Sequence, residues 1–252
     1  MNNIVIKGLV FVLGAAVGSL LNILINYLPN NQFVSPFLCP HCNNSFKWYK
    51  NIPIFGFFLI KGHCNNCGRP VSWQLPLVET LSALFTLGIY LKYTLCFTFF
   101  AYAVLGYSLI VITFIDLKWK VIPDIITLPG ILLGIILSFV LPQVTFKESA
   151  LGAIMGGGTL YIISLGYYIL KKREGMGGGD IKLLAMIGAF LGWKAILPII
   201  FLSSLLGTIV GLTIMVWRKK GRYLAIPFGP FLSLGTLIIL FKPQIFSLFF
   251  EW

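Results

Sequence analysis

Acidic residues are scarce in this 252-residue chain: Asp and Glu total seven against nineteen Lys and Arg, and charged residues make up only 10% of it. So few charges cannot coat a soluble domain, and with 58% hydrophobic residues the composition excludes a soluble globular fold. Alternating apolar and polar segments of strand length are absent, which excludes a membrane β-barrel. No internal repeat is present, which removes the duplicated halves expected of many transporters. No G-x-G-x-x-G unit follows a strand, so nothing signals a soluble dinucleotide-type domain.

What the chain has in quantity is apolar runs long enough to cross about 30 Å of hydrocarbon as helix. Eight candidate spans fall at about 4–28, 76–94, 96–115, 122–141, 149–170, 180–193, 195–217 and 224–241. The expectation is an all-α, multi-pass integral membrane protein set in a lipid bilayer. It divides into a first transmembrane helix at 1–28, an extramembrane loop at 29–75 and a membrane core at 76–252. The first run also reads as a secretory signal peptide, with Lys7 ahead of Gly14, Ala15 and Ala16. Cleavage there would send the next segment out of the cytosol, against its basic character.

Basic residues orient the spans. With the 29–75 loop inside, fourteen of the nineteen Lys and Arg fall on the cytosolic side and both termini face outward. The net charge of +12 then reflects anchoring loops and calls for no nucleic-acid partner. Within the first span Ala15, Gly18, Ser19, Asn22 and Asn26 recur at three-to-four spacing, a small and polar face expected to pack inward.

The loop carries Cys39 and Cys42, then Cys64 and Cys67, two C-x-x-C pairs with twenty-one residues between them. Such pairs on tight turns present four soft ligands to a tetrahedral metal, and Pro40, Asn43, Asn44, Asn65, Asn66 and Gly68 supply turn chemistry. Two disulfides are the alternative, and the reducing cytosol favours structural zinc. A shell closed by four thiolates leaves no open position, so this metal folds the loop rather than catalyses, and His41 and His63 are not needed as ligands. Cys96, alone at the end of a span, reads as a small buried hydrophobe.

The chain has three aspartates, each next to a cytosolic helix end: Asp116 closes the third span, Asp124 opens the fourth and Asp180 opens the sixth after GMGGGD at 175–180. Singly, Asp124 and Asp180 read as helix caps and Asp116 as a headgroup-level residue. Only thirteen residues separate Asp180 from Trp193, so its helix is about 20 Å long, short of the bilayer core. That sets Asp180 below the membrane surface, where an unneutralised carboxylate costs about 3 kcal/mol and needs a partner. Glycines such as Gly177 and Gly179 let backbone dip toward such a site. Two carboxylates in one site do not both ionise readily, so one can act as base while the other stays protonated.

Six segments resemble the type IV prepilin peptidases, members of the GxGD-type membrane aspartic proteases. They are GSLLNILINYLP (18–29), CPHCNNSFKWYKNIP (39–53), GHCNNCGRPVSWQLPLVE (62–79), IDLKWKVIPD (115–124), GMGGGDIKLLAMIGAFLGW (175–193) and IPFGPF (226–231). The resemblance implies that Asp116 and Asp180 are catalytic, supported by Gly177 and Gly179, and that Asp124 is structural. It implies a prepilin or pseudopilin substrate, cut after a glycine just before its hydrophobic helix, at the cytosolic face of a bacterial inner membrane. Many family members also methylate the new N-terminus with S-adenosylmethionine, a function associated with the cysteine loop. Where such members tend to carry Arg, Arg and Asp, this chain has Tyr27, Gln74 and Lys50. Glu79, at the start of the second span, is a candidate contact for that cationic cofactor or else a partner for a neighbouring base. The competing readings are a transporter, which would use intramembrane acids as ion-coupling groups but needs the repeats this chain lacks, and a zinc-knuckle membrane adaptor, which leaves GMGGGD unexplained.

Overall fold

A computed structural model describes residues 2–30, 42, 52–64, 66–172, 176–218, 226–242 and 244. Among them helix dominates and no strand is present beyond one isolated bridge between His63 and Pro70. Each of the eight expected spans holds one helix. Five stretches are long and apolar enough to cross a membrane: Ile4–Pro29, Gln74–Tyr93, Phe97–Trp119, Phe146–Lys171 and Trp193–Trp217. The other three helices are shorter, at 13 or 14 residues. The chain divides into two compact units, Met1–Val111 and Ile112–Trp252.

In the first unit α1 (Asn2–Asn30) packs along α3 (Gln74–Tyr93), with the short α2 (Phe55–Leu59) between them in sequence. The small-residue face of α1 does turn inward, since Ala15 and Asn22 are buried. A Cβ on Gly18 would stand 2.6 Å from the Glu79 Cα, so the two backbones meet where α1 has no side chain. Polar bonds cross the same seam: Ser82 Oγ donates to the Gly14 carbonyl at 2.7 Å, and Asn22 Nδ2 to the Leu75 carbonyl at 3.1 Å. Asn26 instead bonds within its own helix, to the Asn22 carbonyl. Phe57, Ile60 and Val71 form a small core beside α2, and the Trp73 ring lies 4.6 Å from that of Phe57.

Helix α4 (Phe97–Trp119) begins in the first unit and ends in the second. Cys96 lies in the link between α3 and α4 and is exposed rather than buried, its Sγ donating to the Tyr93 carbonyl at 3.0 Å. The chain turns at that link, so the thiol never enters a helix face.

The second unit continues with α5 (Asp124–Leu137), α6 (Phe146–Lys171), α7 (Gly178–Leu191), a 3-10 turn at Trp193–Ala195, α8 (Ile196–Arg218) and α9 (Gly229–Phe241). Its centre is α7, in which Leu183 through Phe190 are all buried. A helix hydrophobic on every face needs neighbours on every face. Here α5 and α6 flank it, and Gly152 of α6 meets Gly188 of α7 so closely that a Cβ on either would strike the other's carbonyl oxygen. Ser149 Oγ adds a hydrogen bond to the Ala189 carbonyl at 2.6 Å. α6 otherwise presents Ile154, Ile162 and Ile169 outward, as lipid-facing residues do.

Candidate functional site

Asp180 is the third residue of α7, not its cap: the N-cap is Gly177, and no side chain caps the helix. The carboxylate is buried, and its Oδ1 has no hydrogen-bond partner among the described residues. A buried acceptor without a partner is uncommon in a folded protein and marks a place where something functional or strained is held. Asp116 lies one turn before the end of α4 and is buried too. Its Oδ2 accepts a hydrogen bond from the Gly229 N–H at 3.0 Å.

That donor belongs to the first residue of α9, one of the N–H groups a helix cannot satisfy internally, and it points the positive end of the helix dipole at the carboxylate. Each aspartate therefore stands at a helix N-terminus, Asp180 inside that of α7 and Asp116 facing that of α9. Gly179, next to Asp180, and Gly229, the donor to Asp116, both approach Ile122, which sets the two carboxyl groups in one region of the second unit.

Ile122 links the elements that carry them. A Cβ built on Gly179 would fall 2.8 Å from the Ile122 Cβ. One built on Gly229 would fall 2.7 Å from Asp116 Oδ2 and 3.3 Å from Ile122 Cδ1. Bare backbone is thus required at both positions for the chain to close on the aspartates. Gly177 carries no such restriction, with φ −69° and only an ordinary 3.8 Å contact to Asp180 Oδ2.

Asp124 stands apart from this pair. It follows the Pro123 N-cap of α5 and makes a solvent-exposed ion pair with Lys182 Nζ at 2.7 Å. It neither caps its helix through its side chain nor joins the buried carboxylates. Gly229 and Ile122 are the residues that sequence reasoning left without a role. Both lie inside the quoted IPFGPF and IDLKWKVIPD segments, which was the available signal.

Of the four loop cysteines, Cys39 lies outside the described residues. Cys42, Cys64 and Cys67 come together, with their sulfurs all within 4.8 Å of one another. Cys42 Sγ and Cys64 Sγ are 3.8 Å apart, too far for a disulfide and close to the ~3.8 Å edge of a tetrahedron with ~2.3 Å metal–sulfur bonds. The three thiols can hold a metal ion.

Glu79 is buried in the first unit with both oxygens engaged. Ser19 Oγ donates to Oε1 at 2.5 Å and the Ile54 N–H to Oε2 at 2.6 Å. Ile54 has φ 67° and ψ −59°, and Phe55 N–H reaches back to the Pro53 carbonyl at 2.7 Å. This is the rare, strained γ-turn, in a β-branched residue that disfavours positive φ. Glu79 thus clamps the strained entry to α2 onto the α1–α3 pair. Nearby Asn22 Oδ1 is also buried without a partner among the described residues, and nothing in the structure accounts for it.

Taken together, these features define a helical membrane protein with two buried carboxylates in its second unit and a thiol cluster in its first. Residues 103–212 match the type IV leader peptidase family, and residues 12–93 match the bacterial peptidase A24 N-terminal domain. A prepilin leader peptidase/N-methyltransferase of Aeromonas hydrophila is 32% identical over 258 residues, covering 92% of this chain and 89% of that protein. Proteins of the same name from Xanthomonas campestris pv. campestris and Legionella pneumophila are each 33% identical, covering 91% and 90% of this chain and 88% of their own lengths. No solved structure matches the chain. The chain belongs to the type IV leader peptidase family, and it is a protease.

Proposed function

We propose that the protein cleaves the N-terminal leader of a prepilin or pseudopilin after a glycine at the cytosolic face of a bacterial inner membrane, with Asp116 and Asp180 as the catalytic pair. The observation that carries this reading is the buried Asp180 carboxylate, one oxygen of which has no partner among the described residues, with Ile122 packed against the backbone beside both it and the Asp116 donor. Two carboxylates in such a setting share a proton. The ionised member takes a proton from a water molecule as that water attacks the scissile carbonyl carbon. The protonated member donates a hydrogen bond to the carbonyl oxygen, and the tetrahedral intermediate collapses as a proton passes to the leaving amine. Gly229 N–H fixes Asp116 for this work, and the bare backbone of Gly179 lets Asp180 stay close to it.

Zinc is the metal that best suits a thiolate cluster of this spacing, with Cys39 completing Cys42, Cys64 and Cys67, and its role is to fold the loop. The relatives' name extends to methyl transfer, and by that likeness the new N-terminus is methylated from S-adenosylmethionine. Ser19 and Ile54 each donate to one oxygen of Glu79, which ties that carboxylate to the entry of α2.

Incubating the purified protein in liposomes with a prepilin, with and without S-adenosylmethionine, and weighing the product by mass spectrometry tests both activities. The expected product begins directly after the glycine and gains one methyl group only when the donor is present. An uncut prepilin refutes the peptidase reading, and a cut product that never gains mass refutes the methyl transfer alone.

A further inference from the structure

Residues 52–60 carry no polar side chain, although they belong to the loop expected outside the membrane. Within this run α2 turns Phe57 into a small core with Ile60 and Val71. Phe55, Phe58 and Leu59, spaced as i, i+3 and i+4, form another face of the helix, and each is more than half exposed. Trp73, equally exposed, extends that face, its ring 6.3 Å from that of Phe58. Single apolar residues on a surface are ordinary, whereas a contiguous aromatic patch needs an apolar partner.

The depth of α2 says what that partner is. Glu79 lies five residues beyond Gln74, about 7.5 Å into α3 at 1.5 Å per residue. Ser19, which donates to it, lies ten residues before Pro29, about 15 Å inside the apolar stretch of α1. Between that level and the helix ends, Leu24 and Leu77 are exposed, so the lipid-facing surface of α1 and α3 continues past Glu79 toward the loop. The Ile54 N–H, bonded to the same carboxylate at 2.6 Å, therefore holds the start of α2 at a level where these helices face lipid. The backbone suits that setting, since the Gly56 N–H donates to the Ile52 carbonyl at 2.7 Å and the Gly62 N–H to that of Phe57 at 3.1 Å. Lys61 follows the apolar run, exposed and cationic, as suits a layer of anionic headgroups.

We infer that the α2 face and Trp73 are embedded in the bilayer itself, at the boundary of headgroups and acyl chains on the loop's side. Interfacial helices bury their apolar face about 5–10 Å deep, which matches the depth set by Glu79. The loop is then not wholly extramembrane. Cys64 follows Ile60 by only four residues, so the thiol cluster stands against the membrane surface. Glu79 acts as the pin that fixes this depth, through one hydrogen bond to α1 and one to the entry of α2.

The test places a photo-crosslinking phenylalanine analogue at Phe58 of the full-length protein, in liposomes of phosphatidylethanolamine and phosphatidylglycerol. Mass spectrometry should find it joined to phospholipid at least about fivefold more often than the same analogue at exposed Asn66, between Cys64 and Cys67. Equal lipid adducts at the two positions, no lipid adduct at Phe58, or an adduct there only with a second copy of the chain overturns the inference. A trifluoromethyl-phenylalanine at Phe58 gives a second measurement that disturbs packing less. Its fluorine relaxation should be enhanced more by dissolved oxygen, which concentrates in hydrocarbon, than by a water-soluble nickel chelate. The opposite order overturns the inference even if the crosslinking variant misfolds.

Discussion

Glu79 and Asp180 are buried to nearly the same degree, 9% and 8% exposed, yet the two units treat their carboxylates differently. In the first unit Glu79 has a donor on each oxygen, one from the side chain of Ser19 and one from the strained turn at Ile54. In the second, Asp180 has an oxygen with no partner among the described residues, and a second buried acid, Asp116, is held near the same Ile122. A carboxylate with a fixed donor on each oxygen ties together the elements that supply those donors. A buried carboxylate with an open acceptor and an acidic neighbour is costly to maintain, and such cost is carried where chemistry is done.

The sharpest way to break this contrast is to damage one unit and look for an effect on the other's activity. Replacing Cys64 with Ser should abolish stoichiometric zinc binding, read by elemental analysis, and make the 29–75 loop sensitive to protease while leader cleavage continues. Full metal content in that variant would remove the metal from the account. Next in size, Gly229→Ala puts a methyl group 2.7 Å from Asp116 Oδ2 and should slow cleavage about 100-fold with helicity by circular dichroism unchanged. Normal turnover in that variant would mean that the Asp116 geometry does not matter.

Glu79→Ala leaves the Ser19 hydroxyl and the Ile54 N–H without their acceptor. It should cost about 2 kcal/mol of stability, seen as a lower thermal midpoint, while kcat for cleavage in the folded fraction is kept. A collapse of kcat at unchanged stability would move Glu79 into the chemistry and erase the distinction between the units. The smallest effect belongs to Lys182→Met, which breaks the exposed pair with Asp124 and should change stability by less than about 1 kcal/mol in thermal unfolding.

Much of the fold was legible because a bilayer imposes length and apolarity, and every expected span holds a helix. Two of those helices, α5 and α9, are shorter than expected, since the Pro123 and Phe228 N-caps set their starts within apolar sequence, whereas α7 is as short as its sequence implies. The aspartates stood out by scarcity and by the GMGGGD context. Gly229 did not, because a main-chain N–H leaves no mark in sequence and its partner is 113 residues away. The tie between Glu79 and Ser19 spans 60 residues and depends on α1 meeting α3 at Gly18, which pattern along one helix does not reveal. Cys96 was misread because an isolated cysteine among apolar residues looks like core, whereas the chain turns there.

On the proposed mechanism Asp116 and Asp180 do the chemistry and Glu79, equally buried, does not. Cleavage rates of a prepilin by Asp116→Asn, Asp180→Asn and Glu79→Gln, measured on purified protein in liposomes, test it directly. The two aspartate variants should lose at least about 1,000-fold in rate, and Glu79→Gln should stay within a few-fold of wild type. Wild-type cleavage by either aspartate variant would contradict the claim.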